Sequence, residues 1–147
     1  MIVSIALPIT LIGTSNEATN ELIVELPSDL REWTLALCLL VSELATEVRI
    51  RMRVGTLVVA LADYGKSRQR GVVAHTSQTT RLSLSRSELE SWQHFFLRAF
   101  RDKVPEVDHI DVELKNPDGA SVDLTLLLQN SKPPLTEDQA RELLLGE

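Results

Sequence analysis

Between residues 107 and 128 the chain reads as two facing strands and the turn that joins them, and this stretch limits the fold more than any other. Ile110, Val112 and Leu114 alternate with His109, Asp111 and Glu113, and Val122, Leu124, Leu126 and Leu128 alternate on the return. A strand with one apolar and one charged face belongs to an antiparallel sheet covered on one side only. Asn116-Pro117-Asp118-Gly119 makes the turn: proline presets φ, aspartate bonds its own backbone and glycine takes positive φ. Just upstream, the overlapping capping boxes Ser85-x-x-Glu88 and Ser87-x-x-Glu90 predict a helix start. Leu89, Trp92, Phe96, Ala99 and Phe100 recur at the spacing of one buried helical face. Arg98, Arg101 and Lys103 suit the negative end of the helix dipole, and Pro105 stops the helix.

The remaining elements are read in the same way. Residues 1–7 and 9–12 are strand-like, residues 13–20 form a polar loop, and Leu22, Val24 and Leu26 give one face to a strand over 21–26. Asp29-x-x-Glu32 predicts a helix from about Leu30 to Thr46, with a buried strand as the alternative, because every residue from Thr34 to Val41 suits either interior. Residues 47–54 alternate Val48, Ile50, Met52 and Val54 inward with Arg49, Arg51 and Arg53 outward. Gly55 turns the chain into a strand over 56–61, and short strands over 72–76 and 81–84 lead to the central helix. Thr136-x-x-Gln139 caps a last helix whose apolar side is Ala140, Leu143 and Leu144. Strand, helix, strand, strand occurs over 21–64 and again over 79–129, and Leu30-x-x-Trp33 matches Leu89-x-x-Trp92. The expectation is a single α+β domain over residues 1–147, with a mainly antiparallel sheet, two to three helices packed on one side, and a pseudo-repeat of that unit.

At 147 residues the chain can bury a core without staples. Its single cysteine, Cys38, excludes an internal disulfide, sits in an apolar run and fits a reducing compartment. The N-terminal stretch lacks the basic region of a secretory signal, and the apolar run from Trp33 to Val41 falls well short of the ~20 residues of a membrane helix, so a cytoplasmic protein with no membrane contact is expected. The net charge of −6 argues against general nucleic-acid binding. It is unevenly spread: −6 over residues 1–48, +7 over 49–103 and −7 over 104–147. Either the segments neutralise one another across strands, which is the first expectation, or the basic middle offers a face to an anionic partner.

Four groups of residues could carry function. The Arg49, Arg51, Arg53 stripe needs anions opposite it. These are Asp111 and Glu113 if the two strands are neighbours, or a partner's carboxylates, which the planar guanidinium matches in a fork. Ala60 to Ser67 (ALADYGKS) fits a degenerate phosphate-binding loop in which the backbone near Gly65 would cradle phosphates, Lys66 would reach the outer ones and Ser67 would hold magnesium. It is not glycine-rich, and no helical period follows to supply an anion-binding N-terminus. His109, Asp111 and Glu113 share a strand face, but at ~6.5–7 Å apart they are too widely spaced for one metal, so no metal or cofactor is expected. Cys38, His75 and His94 found no nucleophile or base, and no catalytic set is present.

The element order over residues 30–145 is similar to that of small secretion chaperones, which are acidic dimers that bind unfolded partners, and the ββαββ order at the front is similar to a β-grasp domain. The likeness implies a protein partner and a homodimer. The functional expectation is a non-catalytic protein-binding module of adaptor, chaperone-like or inhibitor type; the alternative is a small nucleotide- or phosphate-binding enzyme using Gly65, Lys66 and Ser67.

Overall fold

The protein is described by a computed structural model covering residues 1–15, 20–62, 71–76, 78–102, 109–128 and 137–145. In chain order the elements are β1 (Ile2–Ala6), β2 (Thr10–Ser15), β3 (Asn20–Glu25), α1 (Arg31–Val41), β4 (Glu47–Arg51), β5 (Thr56–Leu61), β6 (Val72–His75), β7 (Thr79–Leu84), α2 (Arg86–Asp102), β8 (His109–Lys115), β9 (Ser121–Leu127) and α3 (Glu137–Leu145). The fold is α+β, and strands dominate. Among the described residues no helix is long and apolar enough to cross a membrane.

All nine strands form one sheet in the order β1-β4-β5-β7-β6-β8-β9-β3-β2. The sheet is mixed, which corrects the mainly antiparallel expectation. Each hairpin (β2–β3, β4–β5, β6–β7, β8–β9) pairs antiparallel, and every junction outside the hairpins (β1–β4, β5–β7, β6–β8, β9–β3) is parallel. Hairpin patterns are local and visible in sequence, whereas the junctions join strands from distant parts of the chain. Hairpin, helix, hairpin occurs twice, as β2–β3, α1, β4–β5 and as β6–β7, α2, β8–β9. Exchanging the two units turns the β5–β7 junction into β9–β3.

The first fifteen residues hold both ends of this sheet. β1 pairs with β4 at one end and β2 with β3 at the other, with only Leu7, Pro8 and Ile9 between them. The Leu7 amide donates to the Arg51 carbonyl at 3.1 Å and the Arg53 amide to the Ile9 carbonyl at 3.3 Å, so the corner itself follows β4. Nine strands laid flat would span nearly 40 Å, while the link from Ala6 to Thr10 reaches roughly 14 Å at most. The sheet therefore curls until its two ends adjoin. Leu7 and Ile9 are buried at the corner.

The buried faces of the strands and of α1 and α2 form one cluster, with Trp33, Leu37 and Leu40 from α1 and Leu89, Trp92 and Phe96 from α2. Phe96 lies edge-to-face against both Trp33 (centroids 5.8 Å, 78°) and Phe95 (5.2 Å, 87°). The helical reading of residues 30–46 holds, but the helix ends at Val41, and Glu43 at φ 62° turns the chain toward β4. Of the two overlapping capping boxes only Ser85/Glu88 forms: the Glu88 amide donates to Ser85 Oγ (3.2 Å) and the Ser85 amide to Glu88 Oε1 (3.0 Å). Ser87 lies inside the helix, and Glu90 instead accepts from Arg86 Nε at 3.2 Å. Asp29 accepts from the Arg31 amide and guanidinium, while Leu30 holds the cap position of α1 without a side-chain bond. The Asn116–Gly119 turn forms as read, with Gly119 at φ 93° donating to the Asn116 carbonyl at 2.9 Å. Gly13 to Ser15, expected in a loop, extend β2. Leu144, expected on an apolar side, is 86% exposed. Pro105, Lys103 and Thr136 lie outside the described residues.

Candidate partner-binding site

The arginine stripe begins on β4, where alternation sends Val48 and Ile50 into the core and Arg49 and Arg51 to the outer face. The strand ends at Arg51, so Arg53 sits in the turn and Val54, expected inward, is 84% exposed. The neighbours of β4 are β1 and β5. Pairing of the stripe with Asp111 and Glu113 is thereby excluded, because β8 lies beyond β5, β7 and β6.

The anion that Arg49 finds is on its own strand. Glu47 Oε2 accepts from Arg49 Nε at 2.6 Å, and Glu47 Oε1 accepts from Arg81 Nη1 at 2.6 Å. Arg81 stands on β7, two strands away, and the carboxylate reaches it across Ala60, which lies opposite Glu47 on β5. A small residue on the intervening strand makes that crossing possible. Val58, between Arg49 and Arg81 in register, is buried although it faces outward. The long apolar stems of arginine cover such a surface while the charged heads stay in water. The Glu47 side chain is only 10% exposed, against 54% for Arg49 and 47% for Arg81. The bond from Arg49 holds its carboxyl below the usual glutamate range; burial opposes this and the Arg81 bond adds to it.

A group ionised more readily in the folded state stabilises the fold above its unfolded pKa and stops doing so as pH falls through its folded value. Glu47→Gln is expected to cost about 1.5–3 kcal/mol at neutral pH, the range for hydrogen bonds to a charged group. Thermal unfolding followed from neutral pH down through the carboxylate range checks this. The wild type should lose its advantage over the variant on acidification, and a gap that stays constant with pH would contradict the assignment.

Arg51 and Arg53 are exposed and make no side-chain ion pair or hydrogen bond among the described residues. Two guanidiniums, of Arg49 and Arg81, thus share one carboxylate on this face, with Arg51 further along the same strand face and Arg53 in the turn that follows. The carboxylates of the other half gather on their own outer face. Glu113, Asp123 and Glu21 stand side by side across β8, β9 and β3, and together with Asp111 they line an open depression of about 450 Å³. Among the described residues, the arginines of β4 and β7 and the carboxylates of β8, β9 and β3 thus stand on separate parts of the sheet.

Gly65, Lys66 and Ser67 lie outside the described residues; Ala60, the start of that segment, is a buried residue of β5. Among the described residues no group of three or more His, Cys, Asp or Glu side chains is placed to hold a metal ion. Cys38 is half-buried and accepts from Gln93 Nε2 at 3.4 Å, and His94 is exposed. Sequence reading missed Glu47 and Arg81. The Glu47-Val48-Arg49 spacing was a legible signal for the first pair, but nothing local announced the second. No protein-family model, curated protein or solved structure matches the chain.

Proposed function

We propose that this protein is a non-catalytic binding module that holds a protein partner through the outer face around Arg49, Arg51 and Arg53. The observation that carries this reading is the excess of cation there: Arg49 and Arg81 share one buried carboxylate, while Arg51 and Arg53 stand exposed beside them without a counter-ion among the described residues. Arginine is enriched at the energetic centres of interfaces, and its fork matches carboxylates. The partner surface is acidic. A cytoplasmic setting, to which the lone reduced cysteine is suited, and assembly as a homodimer accompany this reading.

The test is double charge reversal, Arg51→Glu with Arg53→Glu, applied after crosslinking in source cells has identified the partner. The variant should keep its thermal stability, because surface changes of this kind stay within about 0.5 kcal/mol. It should bind the purified partner at least about tenfold more weakly, a loss of about 1.4 kcal/mol. A variant that binds as tightly as the parent removes the site. A variant that unfolds makes the stripe structural.

A further inference from the structure

Among the described residues no strand pairs with β1 on the side away from β4, so the sheet edge next to this face is unpaired there. Flanking the β1–β4 ladder, the backbone bonds of the N-terminal segment to β4 and its surroundings use odd-numbered residues: the carbonyl of Met1, the amide of Leu7 and the carbonyl of Ile9. Alternation along the ladder then turns the amides and carbonyls of Ile2, Ser4 and Ala6 away from β4. Residues 1–7 carry no charged side chain and no proline, the usual devices that keep other strands off an edge. On the inner face Val3 and Ile5 are only partly buried. On the outer face Ser4 lies beside Arg49 and Ala6 beside Arg51.

We infer that β1 accepts an extended segment of a partner protein as an added strand, and that this segment alternates acidic with apolar residues. The inference rests on the reading of the arginine face given above. Its geometry already exists within the sheet. Glu47 reaches Arg81 diagonally across one intervening strand, past Ala60, which lies opposite Glu47, and Val58, which lies opposite Arg81. A strand added to β1 stands in the same relation to β4, about 9–10 Å away across one strand, with small Ser4 and Ala6 in between. Carboxylates on its outer face meet Arg49, whose guanidinium keeps further donors, and Arg51, which is unengaged among the described residues. Apolar residues on its inner face complete the cover of Val3 and Ile5. Main-chain bonds to Ile2, Ser4 and Ala6 supply affinity and the alternating side chains supply selectivity, as in other cases of strand addition.

The probe is a short Val-Glu repeat peptide with blocked ends, compared with a Val-Lys repeat of equal length and followed by amide chemical shifts and hydrogen exchange of the full chain. The Val-Glu peptide should bind, slow exchange at Ile2, Ser4 and Ala6, weaken as salt is raised, and bind Arg51→Glu at least about tenfold less tightly; the Val-Lys peptide should not bind. Ser4→Pro removes an outward amide and leaves the ladder to β4 in place, so it should abolish binding. If Ser4→Pro fails to fold, exchange at the three amides of the wild type decides. Binding that depends on Arg51 without protection of these amides overturns strand addition and leaves the arginine face standing. No binding of the Val-Glu peptide, or equal binding of Val-Lys, overturns the acidic strand as occupant. Protection of the same amides in the protein alone, rising with its concentration, assigns the edge to a second copy instead.

Discussion

Phe96→Ala is expected to be the most damaging single truncation in the core, costing about 3–5 kcal/mol. Phe96 is fully buried, and its ring stands between Trp33 of α1 and Phe95 of its own helix. Removing it leaves a cavity where the two helices meet through aromatic rings, and edge-to-face pairs are worth about 0.5–1.5 kcal/mol beyond the area they bury. Against a typical domain stability of about 5–15 kcal/mol this is a large share. At about 2–4 °C per kcal/mol for a chain of this size, the midpoint should fall by roughly 6–20 °C. Denaturant unfolding followed by tryptophan emission measures the loss directly, because Trp33 is the neighbour that changes surroundings. A loss below about 1 kcal/mol would mean that the helices close over the gap, and the aromatic contact would then be incidental to their packing.

Gly55→Ala is expected to cost about 2–5 kcal/mol for two separable reasons. Gly55 adopts φ +82°, where a side chain costs roughly 1–2 kcal/mol. A Cβ there would also lie 2.5 Å from the Gln78 carbonyl oxygen, the oxygen that accepts the Thr56 amide bond at 2.8 Å. The backbone would have to give way at the point where β5 meets β7, and overpacking of that kind adds about 1–3 kcal/mol. Gly119 is the internal control. It has φ +93° and no atom within 4 Å of a built Cβ, so Gly119→Ala should show the backbone cost alone. Equal losses at the two positions would show that the clash at Gly55 is relieved at no cost.

What was legible in the sequence was whatever is decided within a few residues. The Ser85/Glu88 box, the alternation of β8 and β9 and the Asn116–Gly119 turn each depend on neighbours in the chain, and each forms. The parallel junctions were not legible, because β3 and β9 meet across about a hundred residues and nothing in either strand names the other. The same blindness affected the site. The outward alternation of Arg49 and Arg51 was plain, yet their surroundings depend on which strands flank β4, and β1 and β5 stand there in place of β8. Val54 was misplaced for a simpler reason: a two-residue period continues on paper after the strand has ended at Arg51, as the chain turns toward Gly55. Glu47 drew no reading, because its surroundings are set by Ala60 and Arg81, 13 and 34 positions away.

The curled sheet also imposes an order on synthesis. β3 leaves the ribosome early, but its parallel neighbour β9 is translated about a hundred residues later, which at 5–20 residues per second is roughly 5–20 s. During that interval β2 can pair with β3, and β1 with β4 once β4 appears, but the far edge of β3 stays without its neighbour. Long-range parallel pairing is intrinsically slow. The nascent chain therefore waits with the edge of β3 uncovered, and docking of β9 on β3 is a late event. Yield in cells should depend on how well that waiting edge is shielded during translation, more than on the stability of the finished fold.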